Sequence, residues 1–460
     1  MMMIQEAARA LHTDWGDKDV FFTGVSTDSR TIRQGDLFVA LSGNNFDGNQ
    51  FVSSAAEKGA VAAMIGQQVN NNIFTELPLL RVKDTRLGLG QLAAYWRERF
   101  TLPMIGVTGS NGKTTVKEMI ACILRQAVIA DDEVSEDDAF TRVLATEGNL
   151  NNDIGVPQML LRLREQHQYA VIEMGMNHVG EISYLTKLTK PNVAVITNAG
   201  AAHIEGLGTV ETVAQAKGEI FEGLDQQGVV VINADDTYAS LWRQLAGTRP
   251  VVDFGLNSMA QVSAQYQTNA LSSKIDLKLP SGVEEVNLNV PGAHNIRNAL
   301  AASAVAIALN INEKTIVSGL ESFKGVRGRM QKKLGLRQAT LIDDTYNANP
   351  ESVRAALTFL AETEGKKIMV LGDMGELGQA AVELHRAVGK EARHAGIDRL
   401  LTLGELSAYA VEAFGVGAQH FNSLETLLGE IEHLLAADVT LLVKGSRFMQ
   451  MERVIRHFEA

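Results

Sequence analysis

The residues with the clearest potential for chemistry lie in segment 105–115, IGVTGSNGKTT. A predicted strand enters this glycine-rich turn and a predicted helix leaves it, so backbone N–H groups point at a phosphate there. Lys113 supplies a positive charge and Thr114 a hydroxyl for magnesium. The strict phosphate-loop spacing is not met, because Val107 stands where that pattern has its first glycine. A plain strand-to-helix turn is the alternative, but the Gly-Lys-Thr-Thr run favours phosphate binding.

Two further residues follow apolar runs that read as strands. Glu173 ends the run AVIE, where its carboxylate could hold magnesium directly or through water, although an acidic residue at a strand end is more often simply exposed. His203 lies in TNAGAAHIEGLG. Its ring could bind a metal or a phosphate, but a surface or turn-packing role is favoured when the residue is considered alone.

Composition bounds the class of protein. A chain of 460 residues is too long for one hydrophobic core, which predicts two to four domains. The hydrophobic fraction of 45% and charged fraction of 21% are typical of globular proteins. A net charge of -12 disfavours non-specific nucleic-acid binding but leaves a local anion site open. No membrane-spanning or signal-peptide pattern is found, so a cytoplasmic protein without membrane insertion is expected. Cys122, the only cysteine, is expected to be a buried, inert thiol.

The elements that must position these residues alternate between strand and helix patterns. A mixed α/β lobe is predicted up to Val82, and a helix over 87–100 precedes the break at Pro103. Compact apolar runs that end in polar turns then predict a buried parallel sheet, with ligands at its carboxyl edge. The same rhythm restarts after Gly325. We therefore predict an α/β fold with domains at 1–84, 85–324 and 325–460.

One segment departs from this rhythm. Segment 129–140, IADDEVSEDDAF, is rich in acidic residues and is expected to form a solvated loop. A metal-binding loop is the alternative, but the spacing matches no calcium-loop pattern.

Several motifs occur together in one order along most of the chain. They are STDSR, GDLFVAL, TGSNGKTT, EGNLNNDIGVP, EMGMNHVGEI, TNAGAAHIEGLGTVETVAQAKGEIF, PGAHNIRNALAA, GRMQ, DDTYNANPES and VKGSR. This order resembles the Mur ligases, and the set looks like the branch that adds D-alanyl-D-alanine to UDP-N-acetylmuramoyl-tripeptide. The acidic segment interrupts the family's usual short path to EGNLNND. The resemblance implies an amino-terminal UDP-substrate lobe, a central P-loop ATPase-like domain with a parallel sheet, a Rossmann-like carboxyl-terminal domain and a monomeric enzyme.

The resemblance also implies roles for single residues. ATP is expected at Thr108, Gly109, Ser110, Asn111, Gly112, Lys113, Thr114, Thr115, Asn295, Asn298, Arg329 and Asp344. Mg²⁺ is expected at Thr114, Glu173, His203 and Lys217, where Lys217 matches the lysine that the family carbamylates. The residues expected to act in catalysis are Lys113, Glu173, His203 and Lys217. An ordinary solvated lysine is the alternative for Lys217, and helix capping is the alternative for Asn295.

The substrate residues implied by the resemblance fall in three segments. They are Ser26, Asp28, Ser29 and Arg30; Asn149, Asn151 and Asn152; and Asn347, Asn349, Lys444, Ser446 and Arg447. The first two groups could instead satisfy their own turns. The last group is expected to make peptide or closure contacts.

The expected reaction proceeds through an acyl phosphate made with ATP, which the amine of the dipeptide then attacks. Three other functions stay open. Another ligase of the superfamily would act on a different muramoyl intermediate or join glutamate to folate, although DDTYNANP and VKGSR favour the dipeptide branch. An ATP-driven switch would hydrolyse nucleotide without either amide substrate. A silent UDP-sugar-binding protein is disfavoured, because it would not need the phosphate-loop and metal residues.

Overall fold

The structure is a computed structural model that describes residues 1–16, 18–43, 46–67, 76–201, 204–257, 259–268 and 272–460. Helices and mainly parallel sheets alternate along the chain, which confirms the predicted α/β class. Within these ranges no helix has the length and apolarity needed to cross a membrane. The domain boundaries at 84/85 and 324/325 stay predictions.

The amino-terminal region is a small mixed α/β lobe. Its strands are β1 (Met2–Met3), β2 (Phe21–Phe22), β3 (Gly24–Ser26), β4 (Asp36–Val39), β5 (Ser42–Gly43), β6 (Phe46–Asp47), β7 (Ala62–Gly66) and β8 (Leu79–Val82), and its helices are α1 (Ile4–Leu11), α2 (Val52–Glu57) and α3 (Thr85–Arg97). Strands β3, β4, β7 and β8 form a parallel sheet in that order. Asp84 starts α3 by accepting hydrogen bonds from the backbone N–H groups of Arg86 and Leu87.

The central region is built on a parallel sheet. Its strands are β9 (Met104–Thr108), β10 (Val143–Ala145), β11 (Tyr169–Glu173), β12 (Val193–Ile196), β13 (Val229–Asn233) and β14 (Val251–Phe254), followed by the antiparallel β15 (Ser263–Thr268), β16 (Ser273–Leu279) and β17 (Gly282–Leu288). Its helices are α4 (Lys113–Asp132), α5 (Glu136–Arg142), α6 (Gly155–Leu160), α7 (Glu181–Thr189), α8 (Ile204–Leu207), α9 (Val210–Gly218), α10 (Ala239–Ala246), α11 (Ala293–Ala308) and α12 (Glu313–Ser322).

The strand order of the parallel sheet positions the candidate site. The order is β10-β11-β9-β12-β13-β14, so β9 lies between the strands that end in Glu173 and Ile196. Residues of β9, β11 and β12 are almost wholly buried, which explains their continuous apolar runs. The polar turns after these three strands therefore meet at one edge of the sheet.

Most of the acidic segment is helical, so the prediction of a loop was wrong, whereas its acidic side chains are largely exposed to solvent, as expected. Helix α4 continues to Asp132, and α5 begins after Ser135, whose hydroxyl accepts from the backbone N–H of Asp138. Three carboxylates occupy the first turn of α5. Negative charge at a helix amino terminus is stabilised by the helix dipole, so acidic residues at this spacing favour a helix start. Arg142 also forms an ion pair with Asp132.

The carboxyl-terminal region contains another largely parallel sheet. Its strands are β18 (Gln331–Leu334), β19 (Thr340–Asp344), β20 (Lys366–Gly372), β21 (Arg399–Leu403), β22 (Ala418–Phe421) and β23 (Val439–Lys444), and its helices are α13 (Pro350–Ala361), α14 (Ala381–His394), α15 (Ala408–Phe414), α16 (Leu424–Leu434) and α17 (Glu452–Phe458). The order is β18-β19-β23-β20-β21-β22, with β18 as an antiparallel edge. The adjacent strands β19 and β23 thus present Asp344 and Lys444 side by side.

Candidate active site

A cavity of about 790 Å³ lies between the central and carboxyl-terminal regions. The turns after β9, β11, β12 and β13 line one side of it, together with the start of α11. The turn after β19 and the first turns of α13 line the other side. Parallel α/β sheets bind ligands at this edge, so the position agrees with the predicted site.

The glycine-rich loop joins β9 to α4 in a conformation that needs glycine. Gly112 has φ of 81°, and a Cβ there would collide with the side-chain oxygen of Asn298. The ammonium of Lys113 folds back over the loop and donates to the carbonyl oxygens of Gly109 at 2.7 Å and Ser110 at 3.4 Å. The positive amino terminus of α4 and the Lys113 ammonium therefore both lie at the glycine-rich loop, where they favour an anion.

Glu173 is buried beside this loop. Its Oε1 accepts from the Asn151 amide at 2.8 Å, and its backbone N–H donates to the Thr146 hydroxyl at 2.9 Å. Its Oε2 is also buried but has no hydrogen-bond partner among the described residues. A buried carboxylate oxygen without a partner is unfavourable in the ligand-free protein. This oxygen is the clearest position for a cation in the cavity.

Lys217 lies in the last turn of α9 and is only 2% exposed. Burial lowers the pKa of its amine well below the usual range, and the positive charge of Lys113 lowers it further. Burial also lowers the pKa of Lys113, an effect that the carboxylate of Glu173 opposes. Lys217 is therefore not the ordinary solvated lysine of the alternative interpretation.

The residues expected to bind magnesium are only partly assembled by described side chains. The hydroxyl of Thr114 accepts from the Arg329 guanidinium at 2.9 Å, so a cation bound to this oxygen would require the guanidinium to move. His203 lies outside the described residues. Among the residues that are described, no group of three His, Cys, Asp or Glu side chains forms a metal site. Magnesium often uses one or two protein oxygens together with water and phosphate oxygens, so Glu173 Oε2 and Thr114 fit such a site.

Asn295 and Asn298 lie at the start of α11 and line the cavity. The Asn295 amide donates to the carbonyl of Pro291 at 2.8 Å. Asn295 is not the capping residue of its helix, because Gly292 occupies that position. The amide of Asn298 contacts the oxygen of Asn295 at 3.4 Å. Asn298 thus lies against Gly112 of the glycine-rich loop, and Asn295 contacts Asn298.

Arg329, Asp344 and Lys444 line the opposite side of the cavity. The Arg329 guanidinium stacks over the ring of Tyr346 at 4.3 Å. Lys444 is 3% exposed and donates to Asp344 at 2.6 Å and to the carbonyl oxygen of Asn347 at 2.8 Å. The carboxylate of Asp344 is therefore neutralised within its own sheet.

The other predicted carboxyl-terminal residues have identifiable structural contacts. Ser446 is buried and bonds to the Ala348 carbonyl and the Gly375 N–H. Arg447 pairs with Glu452 at 2.9 Å, although it also lines the cavity. Asn349 caps α13 through Ser352. It also donates to Asn111 of the glycine-rich loop at 2.8 Å.

Asn149, Asn151 and Asn152 all line the cavity. Asn152 accepts from the backbone N–H of Gly155 at 2.8 Å and so supports the start of α6. Asn151 orients Glu173, as described above. Two of these asparagines therefore have local roles in addition to the predicted substrate role.

None of Ser26, Asp28, Ser29 and Arg30 lines this cavity. Asp28 accepts from the backbone N–H of Arg30 at 2.9 Å, and its carboxylate pairs with the Arg30 guanidinium at 2.7 Å. These bonds hold the pKa of Asp28 at about 2. The Asx-type turn of the alternative interpretation is present here.

Glu351 lines the cavity but was not predicted as a site residue from the sequence. It lies two residues after the capping Asn349, where an acidic residue is common for reasons of helix stability. His294 was also missed, and burial lowers the pKa of its ring. It adjoins the predicted Asn295 in the sequence, but nothing in its type or spacing signals a position in the cavity.

A parallel α/β domain with this lysine-bearing loop, closed by another α/β domain, defines a nucleotide-using enzyme. Three family models match the chain: "Mur ligase family, catalytic domain" over residues 21–97, "Mur ligase middle domain" over 107–306, and "Mur ligase, glutamate ligase domain" over 328–447. The chain belongs to the Mur ligase family.

Individual relatives cover almost the whole chain. The UDP-N-acetylmuramoyl-tripeptide--D-alanyl-D-alanine ligase of Escherichia coli (strain K12) is 41% identical over 95% of this chain and 94% of its own. A crystal structure of MurF from Acinetobacter baumannii is similar with a TM-score of 0.89 and 36% identity, over 98% of this chain and 97% of its own. The MurF ligase of Thermotoga maritima in complex with ADP has a TM-score of 0.82 and 26% identity, over 96% of this chain and 98% of its own. The predicted family and three-domain fold are thereby confirmed.

Proposed function

We propose that the protein uses ATP to join UDP-N-acetylmuramoyl-tripeptide to D-alanyl-D-alanine, with ADP and phosphate as the other products. The observation that carries this proposal is one cavity in which Lys113 and Glu173, with its unpartnered carboxylate oxygen, face residues of another domain. The amine of Lys217 is buried close enough to Lys113 to feel its charge. Relatives that span nearly the full chain carry the name of this ligase. The reaction belongs to peptidoglycan precursor synthesis.

ATP is proposed to bind with its phosphates at the glycine-rich loop. Backbone N–H groups of the loop and the amino terminus of α4 favour a polyanion, and Lys113 adds a positive charge. Asn298 lies against Gly112 of this loop with Asn295 beside it, and both line the cavity, where amides suit the edge of a nucleotide base. The ADP complex of the Thermotoga maritima ligase supports nucleotide use in the family.

We propose Mg²⁺ as the cation at Glu173 Oε2, with Thr114 as a further protein ligand. When bound, this ion would neutralise phosphate oxygens during transfer. Asn151 holds the other carboxylate oxygen, and the Thr146 hydroxyl holds the backbone, so the orientation of Glu173 is set before a cation arrives. His203 remains a proposed member of this site.

Lys217 is proposed to carry a carbamate. Its low pKa favours the neutral amine, whose nitrogen forms a bond to the carbon of CO₂ and loses one proton. The product is an anion, which would replace the repulsion between Lys217 and Lys113 by attraction. In the presence of ¹³C-bicarbonate, we expect a carbamate carbon signal by NMR that disappears in Lys217→Met. A spectrum without that signal in the unchanged protein would remove this part of the proposal.

The terminal carboxylate of the tripeptide is proposed to attack the terminal phosphorus of ATP, which forms an acyl phosphate and releases ADP. The amine of D-alanyl-D-alanine then attacks the acyl carbon and loses a proton, and phosphate leaves as the amide forms. Lys113 stabilises charge on the transferring phosphoryl group. Contacts between the domains exclude water from the acyl phosphate.

The cellular location, the oligomeric state and the roles of the three domains are proposals as well. We propose a cytoplasmic monomer whose amino-terminal domain, residues 1–84, holds the UDP portion near Ser26, Asp28, Ser29 and Arg30. The central domain, 85–324, would bind ATP, and the domain 325–460 would close on it. Sedimentation at working concentration tests the monomer, and a dimer would overturn that part alone.

The test of the function is phosphate release with Mg-ATP, each amide substrate omitted in turn, and product identity checked by mass. The ligase requires both substrates and forms the enlarged UDP-peptide. Phosphate release that needs neither substrate would favour an ATP-driven switch. Product formed only with another amine or another muramoyl intermediate would assign the chain to a neighbouring ligase activity.

A further inference from the structure

The first turn of α13 reaches across the cavity to the glycine-rich loop. Asn349 donates to the side-chain oxygen of Asn111 at 2.8 Å, and the nitrogen of the same Asn111 amide donates to Glu351 at 3.2 Å. The other carboxylate oxygen of Glu351 accepts from the backbone N–H of Ala201 at 3.3 Å. Both polar atoms of the Asn111 side chain are therefore held by the carboxyl-terminal domain.

Gly200 leaves room for this contact. Its φ is not in the left-handed region, yet a Cβ on it would collide with the carboxylate of Glu351. The Gly200 turn is itself bonded to the glycine-rich loop, because its N–H donates to the Ser110 hydroxyl at 2.9 Å. Glu351 thus contacts two turns of the central sheet that are already bonded to each other.

The position of Glu351 is electrostatically demanding. Burial raises the pKa of its carboxyl group, and the nearby carboxylate of Asp236 raises it further. The Ala201 N–H, the Asn111 amide and the charge of Arg354 act in the opposite direction. Of these groups, Ala201 and Asn111 belong to the central domain. The two hydrogen bonds to the carboxylate are therefore available only while the two domains are docked, whereas the charge of Arg354 comes from the same helix.

We infer that Glu351 is a positioning residue, a latch that docks α13 on the glycine-rich loop and sets the Asn111 side chain for the reaction. Its effect on catalysis rests on the proposed ligase function. A docked domain keeps water from the acyl phosphate, since water attack would return the carboxylate and phosphate without forming the amide. Loss of the latch would therefore separate ATP use from amide formation.

The first test compares Glu351→Ala with Glu362→Ala, which removes an exposed carboxylate just beyond the other end of the same helix. Amide product and released phosphate are measured together. In Glu351→Ala we expect the amount of amide formed per phosphate released to fall severalfold. We also expect kcat/KM to fall by about tenfold, because this is the typical effect of losing a hydrogen bond to a charged group. Glu351→Gln keeps an acceptor for Ala201, so it should recover part of the coupling. Unchanged coupling in both Glu351 variants would overturn the latch.

Gly200→Ala perturbs the same contact from the central domain. Because both changes break one interaction, the double variant should be no worse than the more impaired single variant. Strictly additive losses would mean that the residues act independently, which contradicts the inference.

A measurement without substrates separates the latch from the proposed function. Small-angle X-ray scattering of the ligand-free protein should show a larger radius of gyration for Glu351→Ala than for the unchanged chain and Glu362→Ala. Equal radii for all three would overturn the latch as a docking contact. If the unchanged protein makes no amide, the ligase proposal fails, and the scattering result still decides whether Glu351 docks the domains.

Discussion

The two sides of the cavity differ in how their polar groups are satisfied. On the central side, Glu173 keeps a buried oxygen without a partner among the described residues. The central domain also buries the amine of Lys217, whose pKa is lowered by burial and by the charge of Lys113.

On the carboxyl-terminal side, Asp344 pairs with Lys444 and Ser446 bonds to its own domain. The central side is thus prepared for ions and phosphates, whereas the other side pairs its buried Asp344 internally and uses Asn349 and Glu351 to contact the central domain. This difference predicts which substitutions affect chemistry and which affect docking or stability.

The largest effect is expected at Lys113. Lys113→Ala should reduce amide formation by about 10³-fold, the scale of losing a group that stabilises transition-state charge. The fold should persist, because the contacts of the ammonium within the described residues are to loop carbonyls. Product assays and circular dichroism measure the two effects, with exposed Lys187→Ala as the control. Normal turnover in Lys113→Ala would contradict its role.

Glu173→Gln should raise the magnesium concentration needed for half-maximal activity by at least about tenfold, because a carboxylate ligand is replaced by a neutral amide. Gln keeps an oxygen that can accept from Asn151, so the local geometry should survive. Magnesium titrations of activity measure the shift, with Glu98→Gln as an exposed control. An unchanged magnesium requirement would show that the cation lies elsewhere.

Lys217→Met should raise the melting temperature in CO₂-free buffer by about 2 °C or more. The folded protein lowers the pKa of this amine, so the unfolded chain binds more protons below pH 10.5 and unfolding is favoured there. The gain of the variant should therefore shrink as pH rises towards 10.5. Melting curves across this pH range measure the difference in melting temperature between the variant and the unchanged protein. A difference that grows with pH would contradict a lowered pKa for the buried Lys217 amine.

Substitution of a docking residue on the carboxyl-terminal side should cause smaller losses. Asn349→Ala removes the cap of α13 and should lower the free energy of unfolding by about 1 kcal/mol. It also removes one contact to Asn111, so amide per phosphate should fall, but less than in Glu351→Ala. Chemical denaturation and coupled assays measure both, and a stability loss without any coupling change would confine Asn349 to capping.

The smallest effect on the fold is expected at Arg30, which is largely exposed. Arg30→Gln should leave the melting temperature unchanged, because exposed ion pairs contribute little to stability. If this segment holds the UDP portion, KM for the UDP-substrate should rise by about tenfold, as for a lost charged hydrogen bond. An unchanged KM would leave the segment with its turn role alone.

The glycine-rich loop can be located from the sequence because its information is local. A strand, a glycine turn and Lys113 are contiguous, and the first turn of the following helix necessarily carries Thr114. Glu351 could not be found in this way, because its partners Asn111 and Ala201 are distant in sequence and meet it only through domain packing. The helix at Glu136–Arg142 was missed for a different reason. Its acidic composition suggested solvation, whereas the placement of those charges after Ser135 stabilises a helix start.

The ligase activity is tested most directly in one reaction with Mg-ATP, UDP-N-acetylmuramoyl-tripeptide and D-alanyl-D-alanine, in which product mass and released phosphate are both measured. We expect the dipeptide-extended product, with one phosphate released for each molecule formed, and neither product when the tripeptide is omitted. Continued phosphate release without the tripeptide, and no extended product in the complete mixture, would contradict the proposed ligase activity.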